Sequence, residues 1–151
     1  SAAIEEIVFA DDTVWSWADV LARSMAGTSG DDVLQIVQGH EIAGLGGNDI
    51  LRGTGSADTL NGGTGDDRLD GGAGDDIYVF NRGDGQDVVV DTQGLNVLQF
   101  GAGIEAGEVR LVRGRETLSL EIVGGGDRID LGTDASFSAG IQEVRFADGT
   151  I

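Results

Sequence analysis

From Asp49 to Asp76 every ninth residue is an aspartate: Asp49, Asp58, Asp67 and Asp76. Carboxylates set at so strict an interval could bind a metal, act as paired acid and base, or decorate a solvated face. Each Asp follows a small-residue stretch, as in Gly44-Leu45-Gly46-Gly47-Asn48-Asp49 and Gly62-Gly63-Thr64-Gly65-Asp66-Asp67. Two places after each Asp stands a large side chain, giving Leu51, Leu60, Leu69 and Tyr78. The small residues predict a six-residue turn, because glycine reaches positive φ without steric cost. The last three residues of each unit predict a short strand with the eighth side chain inward. One such strand cannot bury a core, whereas stacked copies can. Two nonads make one full turn, so units 18 residues apart are vertical neighbours. Turns then stack as well, and Asp oxygens and turn carbonyls from successive layers converge. A hard cation between them relieves the repulsion, and an all-oxygen shell of that flexibility suits Ca²⁺.

The beat extends beyond these four units. Gly27 to Gln35 is a good copy, with Asp32 in the sixth place. Residues 36–43 fill the next slot one residue short, with His40 or Glu41 in the Asp place, which predicts a weak or empty layer. Arg82 to Asp87 reads as a last turn after a two-residue insertion at Phe80-Asn81, and the nonads are expected to stop at Asp91.

This pattern resembles the calcium-binding nonapeptide of the RTX (repeats-in-toxin) family. The resemblance implies an all-β fold, a right-handed parallel β-roll. It implies Ca²⁺ between turns one layer apart, held by carbonyls at places two and four and the Asp below, and by carbonyls at places one and three and the Asp above. One site would then use Thr28, Gly30, Asp32, Gly44, Gly46 and Asp49. A second would use Leu45, Gly47, Asp49, Gly62, Thr64 and Asp67. Thr54, Ser56, Asp58, Gly71, Ala73 and Asp76 would make a third on the other edge, and Gly63, Gly65, Asp67, Arg82, Asp84 and Asp87 a fourth. Four or more ions are thus implied. The fifth-place residues Asp66 and Asp75 are expected to point outward and matter little.

Composition agrees with a cation partner. The chain has 151 residues, 27 acids, 9 bases and a net charge of −18. All bases are Arg, and residues 27–91 carry a local charge of −10. Such a segment repels itself and should stay open without cations. That charge disfavours nucleic acid. No apolar run approaches the 18 residues of a membrane span, and Ser1 to Glu6 lacks the basic start and apolar core of a signal peptide. There is no cysteine, as suits a secreted protein that does not rely on disulfides. Catalysis has little to draw on: His40 is the single histidine, and Lys and Cys are absent. The expectation is therefore a non-enzymatic module.

Three segments are expected. Residues 1–26 hold the end of a preceding module and a short capping helix at 16–25, where Trp17, Val20, Leu21 and Met25 fall at helical spacing. Residues 27–91 form the roll. Residues 92–151 form a β-rich flank with strands near 97–100, 109–112, 118–123 and 128–131, and with turns at 114–116 and 124–127. Phe100, Leu111, Leu120, Ile129 and Phe146 are expected to cover the roll's open end. The phrase Ile4-Glu-Glu-Ile-Val-Phe-Ala-Asp-Asp-Thr13 recurs as Ile141-Gln-Glu-Val-Arg-Phe-Ala-Asp-Gly-Thr150, identical at six of ten places with an offset of 137. It looks like one period of a tandem array, so neighbouring modules are expected partners. What the resemblance implies is a secreted protein exported through a type I channel that folds where Ca²⁺ is plentiful. The other reading is a Ca²⁺-dependent adhesin module that binds a glycan, with Trp15 and Trp17 as stacking platforms.

Overall fold

The structure is a computed structural model, which describes residues 6–8, 10, 11, 13–16, 26–36, 41–115, 117–131 and 140–151. Strands β1 (Glu6–Val8) and β2 (Val14–Ser16) form an antiparallel pair. Ser16 therefore ends a strand, because its backbone is taken up by pairing with Glu6, and the helix expected at 16–25 does not start there. The rest of that expected helix, and Trp17 with it, lies outside the described residues.

The body is a parallel β-roll of two facing sheets. Strands β3 (Val33–Gln35), β5 (Ile50–Thr54), β7 (Arg68–Gly72) and β9 (Gln86–Val89) stack in one sheet. Strands β4 (Glu41–Ala43), β6 (Thr59–Asn61), β8 (Ile77–Phe80) and β10 (Asn96–Phe100) stack in the other. Register confirms the nonad arithmetic. Leu51 lies beside Leu69, and Leu60 beside Tyr78, each 18 residues on.

The eighth-place side chains Leu51, Leu60, Leu69 and Tyr78 are fully buried between the sheets. Each such burial contributes about 1.5–3 kcal/mol, so the apolar ladder is the main cohesive force of the roll. Glu41 pairs with Thr59, a seventh-place residue, and is exposed, so it does not hold the Asp place of the 36–43 unit; His40 lies outside the described residues.

The sheets do not end at Asp91, where the sequence pattern fades. Strand β10 lies parallel to β8 and is the strand of a degenerate unit, Asp91-Thr92-Gln93-Gly94-Leu95-Asn96-Val97-Leu98-Gln99, with Asn96 in the Asp place and Leu98 buried in the eighth. An antiparallel hairpin of β11 (Val109–Arg113) and β12 (Leu118–Ile122) follows, preceded by a 3₁₀ turn at Ala106–Glu108. Then β13 (Arg128–Asp130) and β14 (Ile141–Arg145) return to the roll, parallel to β9 and β10.

Residues 123–125 form the plain turn between β12 and β13. Phe100, Leu120 and Ile129 are buried, and Phe146 stacks on Phe100 at 5.2 Å between ring centroids. Leu111 is not core: it is 66% exposed. It sits on the outermost strand of a seven-stranded sheet, beyond the last strand of the five-stranded sheet opposite, so no described strand of that sheet lies over it.

Candidate functional site

The sixth-place side chains form a continuous column along each edge. On the first edge the Asp32 N–H donates to Asp49 Oδ1 at 2.8 Å, Asp49 N–H to Asp67 Oδ1 at 2.7 Å, and Asp67 N–H to Asp87 Oδ1 at 3.0 Å. On the second edge the Asp58 N–H donates to Asp76 Oδ1 at 2.8 Å and Asp76 N–H to Asn96 Oδ1 at 2.9 Å. One oxygen of Asp49, Asp67, Asp76 and Asp87 thus ties two layers together. The other oxygen sorts the residues into two kinds. Oδ2 of Asp49, Asp67, Asp76 and Asp87 is buried without a hydrogen-bond partner. Oδ2 of Asp32 and Asp58 is instead capped by its own turn. Thr28 donates its N–H at 2.6 Å and its hydroxyl at 2.9 Å to Asp32, and Thr54 does the same to Asp58 at 2.7 and 2.9 Å.

The second place of each turn accounts for the difference. Leu45, Gly63, Gly72 and Gly83 all have positive φ there, from 77° to 96°, and their turns are the four with a bare Oδ2. Thr28 and Thr54 occupy the same place with ordinary φ, and each aims an N–H and a hydroxyl at the carboxylate. Closeness explains the first-place glycine: a Cβ on Gly44 would collide with Asp49 Oδ2 and with the carbonyl oxygen of Gly62 in the next layer.

Burial without a counter-charge governs the electrostatics. Loss of solvation pushes the Asp67 carboxyl up to about 6, Asp76 to about 7 and Asp87 to about 8, from an ordinary 3.8. Asp49 and Asp84 are raised for the same leading reason, with neighbouring carboxylates adding to it. Ion pairs among the described residues lie elsewhere, as in Arg82 with Glu108, Arg128 with Asp130 and Arg145 with Glu143. A buried carboxylate with a bare oxygen is costly, and a cation is the partner its chemistry asks for.

Backbone hydrogen bonds join the turns between layers. Third-place N–H groups donate down to second-place carbonyls, as in Gly46 to Thr28 (3.3 Å), Thr64 to Leu45 (3.1 Å) and Ala73 to Thr54 (3.0 Å). Fourth-place N–H groups donate up to third-place carbonyls, as in Gly47 to Thr64 (2.9 Å) and Gly65 to Asp84 (2.7 Å). Each carbonyl keeps a second lone pair. Among the described residues no three acidic or histidine side chains converge on one point. An ion here must draw on carbonyls as well as on Asp, which is the donor mixture that a hard, oxygen-preferring cation takes.

Five features escaped the sequence pattern. The Thr caps were visible in principle, since Thr recurs at the second place. The fifth place is not idle: Asp66 Oδ1 accepts the Gln86 N–H at 3.0 Å, Asp75 Oδ1 accepts Leu95 N–H at 2.9 Å, and Asn48 Oδ1 accepts Asp66 N–H at 2.9 Å. Asn96 extends the second column. Tyr78, the one eighth-place residue with a polar tip, donates its hydroxyl to Asp91 Oδ2 at 2.5 Å and accepts the Gly71 N–H at 2.8 Å. Asp84 is capped by the Asn81 N–H at 2.6 Å and its amide at 3.1 Å.

A family model described as the RTX calcium-binding nonapeptide repeat (4 copies) matches residues 43–78. A search of curated proteins found no match. Among solved structures, the extracellular lipase LipA from Serratia marcescens is similar, with a TM-score of 0.56 and 25% identity, over 78% of this chain and 20% of the lipase. The chain thus spans about a fifth of that lipase's length. The nine-residue interval, the stacked aspartates and the family match agree: residues 43–78 of this chain are RTX calcium-binding nonapeptide repeats, wound within a parallel β-roll.

Proposed function

We propose that this chain is a calcium-folded structural module of a larger secreted protein, and that it has no catalytic role of its own. The observation that carries the reading is the row of buried, bare Oδ2 atoms on Asp49, Asp67, Asp76 and Asp87. In the proposed assignment the stacked turns hold Ca²⁺ through these oxygens and through carbonyls of the layer below and above. The first-edge ions use Thr28, Gly30, Asp32, Gly44, Gly46 and Asp49; Leu45, Gly47, Asp49, Gly62, Thr64 and Asp67; and Gly63, Gly65, Asp67, Arg82, Asp84 and Asp87. The second-edge ion uses Thr54, Ser56, Asp58, Gly71, Ala73 and Asp76. Calcium supplies the positive charge that a segment of local charge −10 lacks.

A module built this way is a switch. At the low free Ca²⁺ of a cytosol the carboxylates repel and the chain stays open, fit to pass through a narrow export channel. Extracellular modules bind Ca²⁺ at about 10⁻⁴–10⁻³ M, so it folds on arrival outside. The likeness to an extracellular lipase supports that location. The module's contribution to its parent protein is then export-competence followed by folding. Far-UV circular dichroism of the chain at neutral pH, in chelator and in millimolar Ca²⁺, tests this. A disordered spectrum that converts cooperatively to β type, with Mg²⁺ a poor substitute, is expected. A full β spectrum in chelator would overturn it.

A further inference from the structure

The repeated phrase is repeated in structure as well. Residues 6–8 are strand, and so are their counterparts 143–145 at the offset of 137. Ala10 and Asp11 form a turn, as do Ala147 and Asp148. In the first copy the Thr13 N–H donates to Asp11 Oδ1 at 3.1 Å, and in the second the Thr150 N–H donates to Asp148 Oδ1 at 2.8 Å.

The hairpin register matches too. Strand β1 pairs with β2 so that Val8 faces Val14 and Ile7 faces Trp15. Shifted by 137, the rung beside Val8 and Val14 is Phe146 with Thr150, and the Phe146 N–H does donate to the Thr150 carbonyl at 3.0 Å. The second copy has therefore made the turn and the first rung of the hairpin that β1 and β2 complete. Its next residue, Ile151, stands where Val14 stands.

Among the described residues, strand β14 is the outermost strand of the five-stranded sheet and pairs with β10 alone. An open strand edge invites pairing. Because Phe146 turns its N–H toward the return strand, alternation turns the Val144 N–H and carbonyl the same way, away from β10.

We infer that β14 is a joint between modules: its open edge takes the Val14–Ser16 strand of a following copy of this chain, antiparallel, in the register that β1 and β2 display. The two copies then share the ten-residue phrase, which closes one roll and opens the next entry hairpin. The partner is a second copy in head-to-tail succession. Its strand brings alternating Val14, Trp15 and Ser16, with Trp15 opposite Val144.

The test is a two-copy chain in which Thr150 of the first copy runs directly into Val14 of the second. Amide hydrogen exchange is read in millimolar Ca²⁺. Exchange at Val144 of the first copy should slow about tenfold relative to the single chain, as for an amide moved from an edge into a ladder. Trp15→Pro in the second copy, which removes the pairing N–H, should restore fast exchange while both rolls keep their calcium-induced circular dichroism. Unchanged exchange at Val144 in the two-copy chain overturns the joint, as does slowing that survives Trp15→Pro. A single chain that sediments as a dimer with Val144 already protected would show that the edge pairs with a second β14, which also overturns it.

Discussion

Two kinds of turn alternate with the strands of this roll, and they solve one problem in opposite ways. In the turns of Asp49, Asp67, Asp76 and Asp87 the second residue has positive φ and the carboxylate is left with a bare, buried oxygen. In the turns of Asp32 and Asp58 a threonine at the second place caps that oxygen with two donors of its own. The first kind cannot be stable as an anion without a cation. The second is closed by protein alone. The roll is thus a series of cation-dependent layers that begins, on its first edge, with a self-capped one. The same aspartate at the same place in the repeat carries a different demand for metal, and the second residue decides which.

The largest effect that could break this comparison comes from pH. Asp67, Asp76 and Asp87 have folded-state values raised to about 6, 7 and 8 from 3.8. A raised value means that the metal-free roll is most stable below the unfolded value and loses stability as pH rises through the folded one. In chelator, then, acidification from about pH 8 to about pH 4 should restore β structure that is absent at neutral pH. With calcium present, protons compete for the same oxygens, so the calcium midpoint should rise as pH falls from 8 to 6. A chelated chain equally disordered at pH 4 and pH 8 would remove the bare carboxylates as the cause.

Next in size is the loss of single carboxylates. Asp67→Ala removes an oxygen that two proposed ions share, and its calcium midpoint should rise on the order of tenfold, since ligand charge count tunes affinity. Asp32→Ala should shift it less, because Thr28 already satisfies that carboxylate. Isothermal titration on both variants decides; equal shifts would mean that the capped and bare turns are equivalent.

Thr54→Gly sharpens the comparison by converting one kind of turn into the other. It deletes the hydroxyl bond to Asp58 and frees φ, so Asp58 should join the carboxylates that need an ion. The cost should be about 1–3 kcal/mol at low Ca²⁺ and should shrink at millimolar Ca²⁺. Urea unfolding at the two calcium levels reads it, and a cost independent of calcium would count against the cap as a stand-in for the ion. The smallest effect belongs to Asp66→Ala. It removes one exposed rung to Gln86 and should cost about 0.5–1.5 kcal/mol, the same with and without calcium. A calcium-dependent loss there would place Asp66 among the ligands.

The sequence by itself determined the roll, because its nine-residue period encodes both turn and strand. Asp49 and Leu51 recur at their places with no help from distant residues, and the 18-residue register follows. It also determined the two-residue insertion before Asp87 and strands β10 to β13 of the C-terminal part, though not β14. It could not show that the sheets run past Asp91. There the glycines thin out and Asn96 replaces Asp, and only pairing with β8 and the Asp76 N–H bond reveals the place it holds. The exposure of Leu111 was likewise hidden, since alternation says which face a side chain takes but not whether a second sheet lies beneath it. Above all, only the tertiary structure decided which aspartates stand bare. That property depends on φ at the second place and on the donors its own turn aims at the carboxylate, and neither is written in the identity of the aspartate itself.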